Sequence, residues 1–103
     1  MHPDLHFIYR RRSIRKFTGE PVPPDLLEEL LRAAMAAPSA TNSQPWEFVV
    51  VTRSEILADL QQVLPFGRYN APAAIVVLGN PLKSRNPAAW LYWQQDCSAP
   101  VEN

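Results

Sequence analysis

Between Asp25 and Ala36 the apolar residues Leu26, Leu27, Leu30, Leu31, Ala33 and Ala34 recur with a period of about 3.6, the spacing of one helix face. Glu28, Glu29 and Arg32 take the other face, so this segment reads as an amphipathic helix. Pro24 suits its first turn, where a missing N–H costs nothing, and Asp25 and Glu28 match the positive end of the helix dipole. Pro38 ends the pattern. Ser54 is placed to cap a second helix reaching about Leu64, with Ile56, Leu57, Leu60, Val63 and Leu64 as its inward stripe. Two apolar runs, Trp46 to Thr52 and Ala73 to Leu78, read as strands. The unbroken Val49-Val50-Val51 run predicts burial on both faces. Asp4 to Arg10 predicts a short helix, and the chain is expected to run extended from Ser13. Trp90 to Asn103 reads as a loop leading into a further helix that has barely begun, because Pro100 is tolerated only in a first turn. Helices alternating with strands give a mixed α/β, or α+β, class.

Composition adds that this belongs to something folded: of 103 residues, 47% are hydrophobic and 10% aromatic. Ten Lys and Arg balance ten Asp and Glu, so no global field draws the chain to nucleic acid or to an anionic membrane. Met1 to Arg12 lacks the basic-then-apolar order of a secretory signal, and no apolar run nears the roughly 20 residues that span a bilayer. Cys97 is the single cysteine, reads as a small buried residue, and cannot form an intrachain disulfide, which points to a reducing cytoplasm. The expected location is cytoplasmic.

Candidate chemistry lies in two segments. In an extended backbone Arg11, Ser13 and Arg15 fall on one side, placing two guanidiniums and a hydroxyl where they can grip a phosphate. The same run also fits a solvated basic face or a chance nucleic-acid patch. From Pro38 to Trp46 the chain reads Pro-Ser-Ala-Thr-Asn-Ser-Gln-Pro-Trp, a loop of amides and hydroxyls held between prolines. Such a loop has the donors and acceptors to read a heteroaromatic edge, and it also fits an ordinary helix-to-strand connection with Trp46 in the core. Gly19, Gly67 and Gly79 are too far apart for a dinucleotide fingerprint or a P-loop. His2, His6 and Cys97 lack the spacing of a metal site, and no metal is expected. Trp90, Tyr92 and Trp93 could wall a ligand but fit core or interface packing better.

Together these segments, in order, resemble the nitroreductase superfamily of flavoproteins. The resemblance is carried by Arg11-Arg12-Ser13-Ile14-Arg15-Lys16-Phe17, Ala37-Pro38-Ser39-Ala40-Thr41-Asn42-Ser43-Gln44-Pro45-Trp46, Ala71-Pro72-Ala73 and Asp96-Cys97-Ser98-Ala99. It implies a nitroreductase-like fold, a central mixed sheet flanked by helices, in a homodimer with FMN at the interface. The implied activity is transfer of electrons from NADH or NADPH through FMN to a small organic acceptor such as a nitroaromatic or quinone. Phosphate binding is carried onto Arg11, Ser13 and Arg15, with a backbone contact from Arg12. Flavin contacts are carried onto Pro38, Ser39, Ala40, Asn42 and Gln44. No side chain is given a catalytic role, since the cofactor holds the redox chemistry. A non-catalytic FMN-binding module, or a specialised branch that destroys flavin or removes halogen, uses the same contacts. The expected organisation is a single domain over 1–103 that is incomplete, covering the first half of the fold.

Overall fold

Pro23 and Pro24 begin the longest regular stretch of the first half. In the computed structural model, which describes residues 2–66, 68–83 and 88–103, Pro24 opens helix α2 (Pro24–Met35). A short 3-10 turn (Pro3–Leu5) leads into α1 (His6–Arg10) before it. A second 3-10 turn (Ala40–Asn42) follows, then strand β1 (Trp46–Val51), helix α3 (Ser54–Val63), strand β2 (Ala74–Gly79), a 3-10 turn (Pro81–Lys83) and helix α4 (Ala88–Glu102). The segment expected to run extended from Ser13 forms no ladder: residues 11–23 carry no regular hydrogen-bonded structure. It turns at Gly19, whose φ of +84° suits a residue without a Cβ. Phe17 ties it to Tyr69, ring centroids 6.4 Å apart.

The two strands are antiparallel, registered from Trp46 opposite Gly79 to Val51 opposite Ala74. Helix α4 lies against both strands, α2 and the Ala40–Asn42 turn. That contact makes the core: Ala37, Trp46 and Cys97 are buried, with Phe48, Val77 and Ala99 packed on them. Helices with a small antiparallel sheet place the chain in the α+β class.

Three local expectations are corrected. Val49 and Val50 are 45% and 36% exposed and Val51 alone of the three is buried, because among the described residues α4 covers only part of the two-stranded sheet. Ser54 is the first helical residue and not the cap; Arg53 holds the cap position and makes no side-chain cap bond. Pro100 lies in the last turn of α4 and not in a first turn. It removes one N–H that would donate to the Asp96 carbonyl, at a cost on the order of 3 kcal/mol. The buried Pro100 ring and its place in the last turn offset part of that cost.

The accessible surface is 8212 Å². A compact protein of 11.7 kDa exposes roughly 5900 Å². Phe7, Ile8, Ile14, Leu91 and Val101 are among the apolar residues more than half exposed.

Candidate functional site

The basic segment begins where α1 ends. Arg12 folds its guanidinium back, donating to the carbonyls of Tyr9 and Arg11, each at 2.8 Å. It thereby satisfies carbonyls that the end of α1 leaves open. Arg11, Ser13 and Arg15 are exposed and make no side-chain hydrogen bond or ion pair among the described residues. Two guanidiniums and a hydroxyl are therefore free for an external anion. Arg11 lines a cavity with Phe7, Ile8, Ala33 and Ala36.

The polar loop has a different character. Pro45 is fully buried and Ser43 nearly so, whereas Pro38, Asn42 and Gln44 are exposed and Ser39 and Ala40 partly so. The loop is wound by its own bonds: Asn42 N–H donates to the Ser39 carbonyl at 3.0 Å, Ser43 N–H to the Ala40 carbonyl at 3.1 Å, and Gln44 N–H to Ser39 Oγ at 3.0 Å. Thr41, Asn42 and Gln44 have φ of +50°, +56° and +47°. Left-handed backbone at residues with a Cβ costs about 1–2 kcal/mol apiece, and a β-branched threonine is a poor occupant. Strain of this kind persists only where surroundings hold it, and it concentrates at ligand sites.

What holds it is on α4. Asp96, 5% exposed, accepts from Ala40 N–H at 2.8 Å through Oδ1 and from Ser43 Oγ at 3.2 Å through Oδ2. Tyr92, Gln95 and Ala99 share that helix face and line a shallow cavity with Pro38, Ser39 and Ala40. Next to Asp96 the Cys97 thiol is buried and free, its pKa pushed above the ordinary value of 9.0 by burial first and by the Asp96 charge second. Arg11 and the loop occupy separate cavities within one chain.

The sequence pattern of the Nitroreductase family matches residues 8–65, taking in both the basic segment and the loop. The chain belongs to the nitroreductase family. An Archaeoglobus fulgidus protein, provisionally named an NADH dehydrogenase/NAD(P)H nitroreductase, is 45% identical over all of this chain and 59% of its own length. A crystal structure from Parabacteroides distasonis with the same provisional name superposes with a TM-score of 0.84 at 38% identity, over 99% of this chain and 59% of that one. A provisionally named nitroreductase from Desulfovibrio desulfuricans, crystallised in complex with FMN, gives 0.81 at 30% identity, over 99% of this chain and 59% of that one. This nitroreductase-family chain thus spans about three-fifths of the length of these relatives.

Asp96 was outside the residues singled out for binding. The signal for it was present, since an acid in an apolar helix in the fourth matched stretch needs hydrogen-bond donors. Nothing in the spacing says that the donors come from a loop 53 and 56 residues earlier.

Proposed function

We propose that this chain is the amino-terminal, FMN-holding part of a nitroreductase-type oxidoreductase that passes electrons from NADH or NADPH to a small organic acceptor. The observation that carries the reading is that one chain presents both an unpaired set of Arg11, Ser13 and Arg15 and a strained loop exposing Asn42 and Gln44. These residues fit FMN by their chemistry. Guanidinium forks at Arg11 and Arg15 match phosphate oxygens, and Ser13 adds a neutral donor. Arg12, whose guanidinium is engaged with α1, is left its backbone N–H for the same phosphate. Pro38, Ser39 and Ala40 form one wall of the ring site, and Asn42 and Gln44 supply amide donors and acceptors to the ring edge.

When bound, FMN would supply the two-electron chemistry, accepting hydride from the nicotinamide and reducing the acceptor. The residues of this chain bind, orient and shield, and none is assigned a proton-transfer or nucleophilic role. The separate cavities of Arg11 and the loop favour a site shared between two copies, the grip from one and the loop from the other. Two-fold symmetry then makes two equal sites in a homodimer. Among the described residues no helix is long and apolar enough to cross a membrane, and the buried free thiol suits a reducing cytoplasm.

The test is anaerobic addition of NADH or NADPH to the full-length, FMN-loaded protein. Loss of the yellow flavin absorbance, with recovery on adding a nitroaromatic or quinone, is the expected outcome. Bound FMN that neither nicotinamide bleaches would assign a binding module without turnover.

A further inference from the structure

Asp96 is a buried carboxylate whose partners are loop donors, and none of the ion pairs among the described residues includes it. Burying a carboxylate without a cation is costly unless donors replace its water, and here Ala40 N–H and the Ser43 hydroxyl do so. The dependence is mutual. Ala40 opens the 3-10 turn and Ser43 closes it, so the two oxygens of one carboxylate clamp both ends of the left-handed pair Thr41 and Asn42. Gln44, the third left-handed residue, follows directly on Ser43.

We propose that Asp96 is a positioning residue for the ligand-reading loop, setting from α4 the backbone shape in which Asn42 and Gln44 meet a flavin ring. The proposal rests on the FMN reading above for its ligand and on the hydrogen bonds alone for its geometry. Asp96 does not touch the ligand in this account. It acts through Ala40 and Ser43, and α4 is thereby part of the site. The placement of α4 is itself set closely. Trp93, one turn before Asp96 and Cys97, rests so near Gly79 that a Cβ there would lie 2.5 Å from its ring. The end of β2 thus fixes how far the carboxylate reaches.

The experiment compares full-length wild type with Asp96→Asn, Asp96→Ala and Ser43→Ala. It reads FMN dissociation constants by flavin fluorescence and amide hydrogen exchange of the FMN-free protein. Asp96→Asn keeps Oδ1 as acceptor for Ala40 N–H and should bind FMN within about fivefold of wild type. Asp96→Ala should weaken FMN by roughly ten- to a hundredfold and speed exchange at Asn42, Ser43 and Gln44 by a similar factor, with β1 amides unchanged. Ser43→Ala, which removes one arm, should fall between. Wild-type FMN affinity and protected loop amides in Asp96→Ala would overturn the proposal. So would acceleration spread equally over the loop and β1, the mark of general destabilisation. Where Asp96→Ala does not fold, Asp96→Asn and Ser43→Ala decide by the same two readouts: a Ser43→Ala loop as protected as wild type overturns it. A wild type that binds no FMN would defeat the flavin reading, and loop exchange in the FMN-free variants would still decide the role of Asp96.

Discussion

Replacing Gly79 by alanine probes the packing that holds the site together. Gly79 ends β2 opposite Trp46, and an added Cβ would stand 2.5 Å from Trp93 Cε3, 3.2 Å from Cζ3 and 3.3 Å from Cys97 Sγ. The first distance is shorter than carbon atoms tolerate, so Trp93 or the helix must move. Trp93 is 38% exposed, which lets the ring swing outward and keeps the cost in the ordinary overpacking range of about 1–3 kcal/mol. At roughly 2–4 °C per kcal/mol for a chain of the relatives' size, the melting temperature should fall by about 4–8 °C for a mid-range cost of about 2 kcal/mol. Thermal melts followed by circular dichroism, on wild type, Gly79→Ala, Trp93→Ala and the double variant, complete the cycle. The two changes should be strongly non-additive, because shortening Trp93 removes the clash. A Gly79→Ala protein within about 0.5 kcal/mol of wild type, or additive effects, would refute the close approach of α4 to β2.

Cys97 carries a pH prediction. Its folded pKa is raised above the ordinary value of 9.0, so the protonated thiol is favoured in the folded protein. That stability is fully present below the unfolded pKa and is lost as pH rises toward the folded one. Urea melts should show stability falling above about pH 9 in wild type, with a shallower fall in Cys97→Ala; parallel profiles would remove the thiol from the account. Subunit sharing predicts complementation. Mixing an Arg15→Ala chain with an Asn42→Ala, Gln44→Ala chain should restore about one site in four, since random exchange makes half the dimers mixed and each then holds one intact site. Titrated FMN binding after exchange measures this, and no restored sites would place grip and loop on the same chain.

Much of the fold was legible because it depends on local chemistry. Pro24, the leucine spacing and Pro38 delimit α2 with no help from distant residues, and the β-branched runs mark both strands. The misreadings share a different origin. Whether Val49 and Val50 are covered depends on what packs over the sheet, which no local pattern encodes. Pro100 inside α4 breaks a local rule, and tertiary burial of its ring makes the break tolerable. Arg11, Ser13 and Arg15 are proposed from residue type and spacing, and Asn42 and Gln44 from the resemblance; the structure leaves all five exposed. Asp96 could not be given its role, because the pairing with Ala40 and Ser43 exists only once α4 lies on the loop.

The central claim is that the arginine-serine segment and the strained loop hold FMN, and equilibrium titration of the full-length protein with FMN tests it most directly. The account predicts a yellow protein that saturates at about one FMN per chain. It also predicts that Arg15→Ala loses a charge-assisted contact of about 1.5–3 kcal/mol, weakening binding roughly ten- to a hundredfold. A colourless protein that ignores added FMN, or an Arg15→Ala dissociation constant equal to that of wild type, would contradict it.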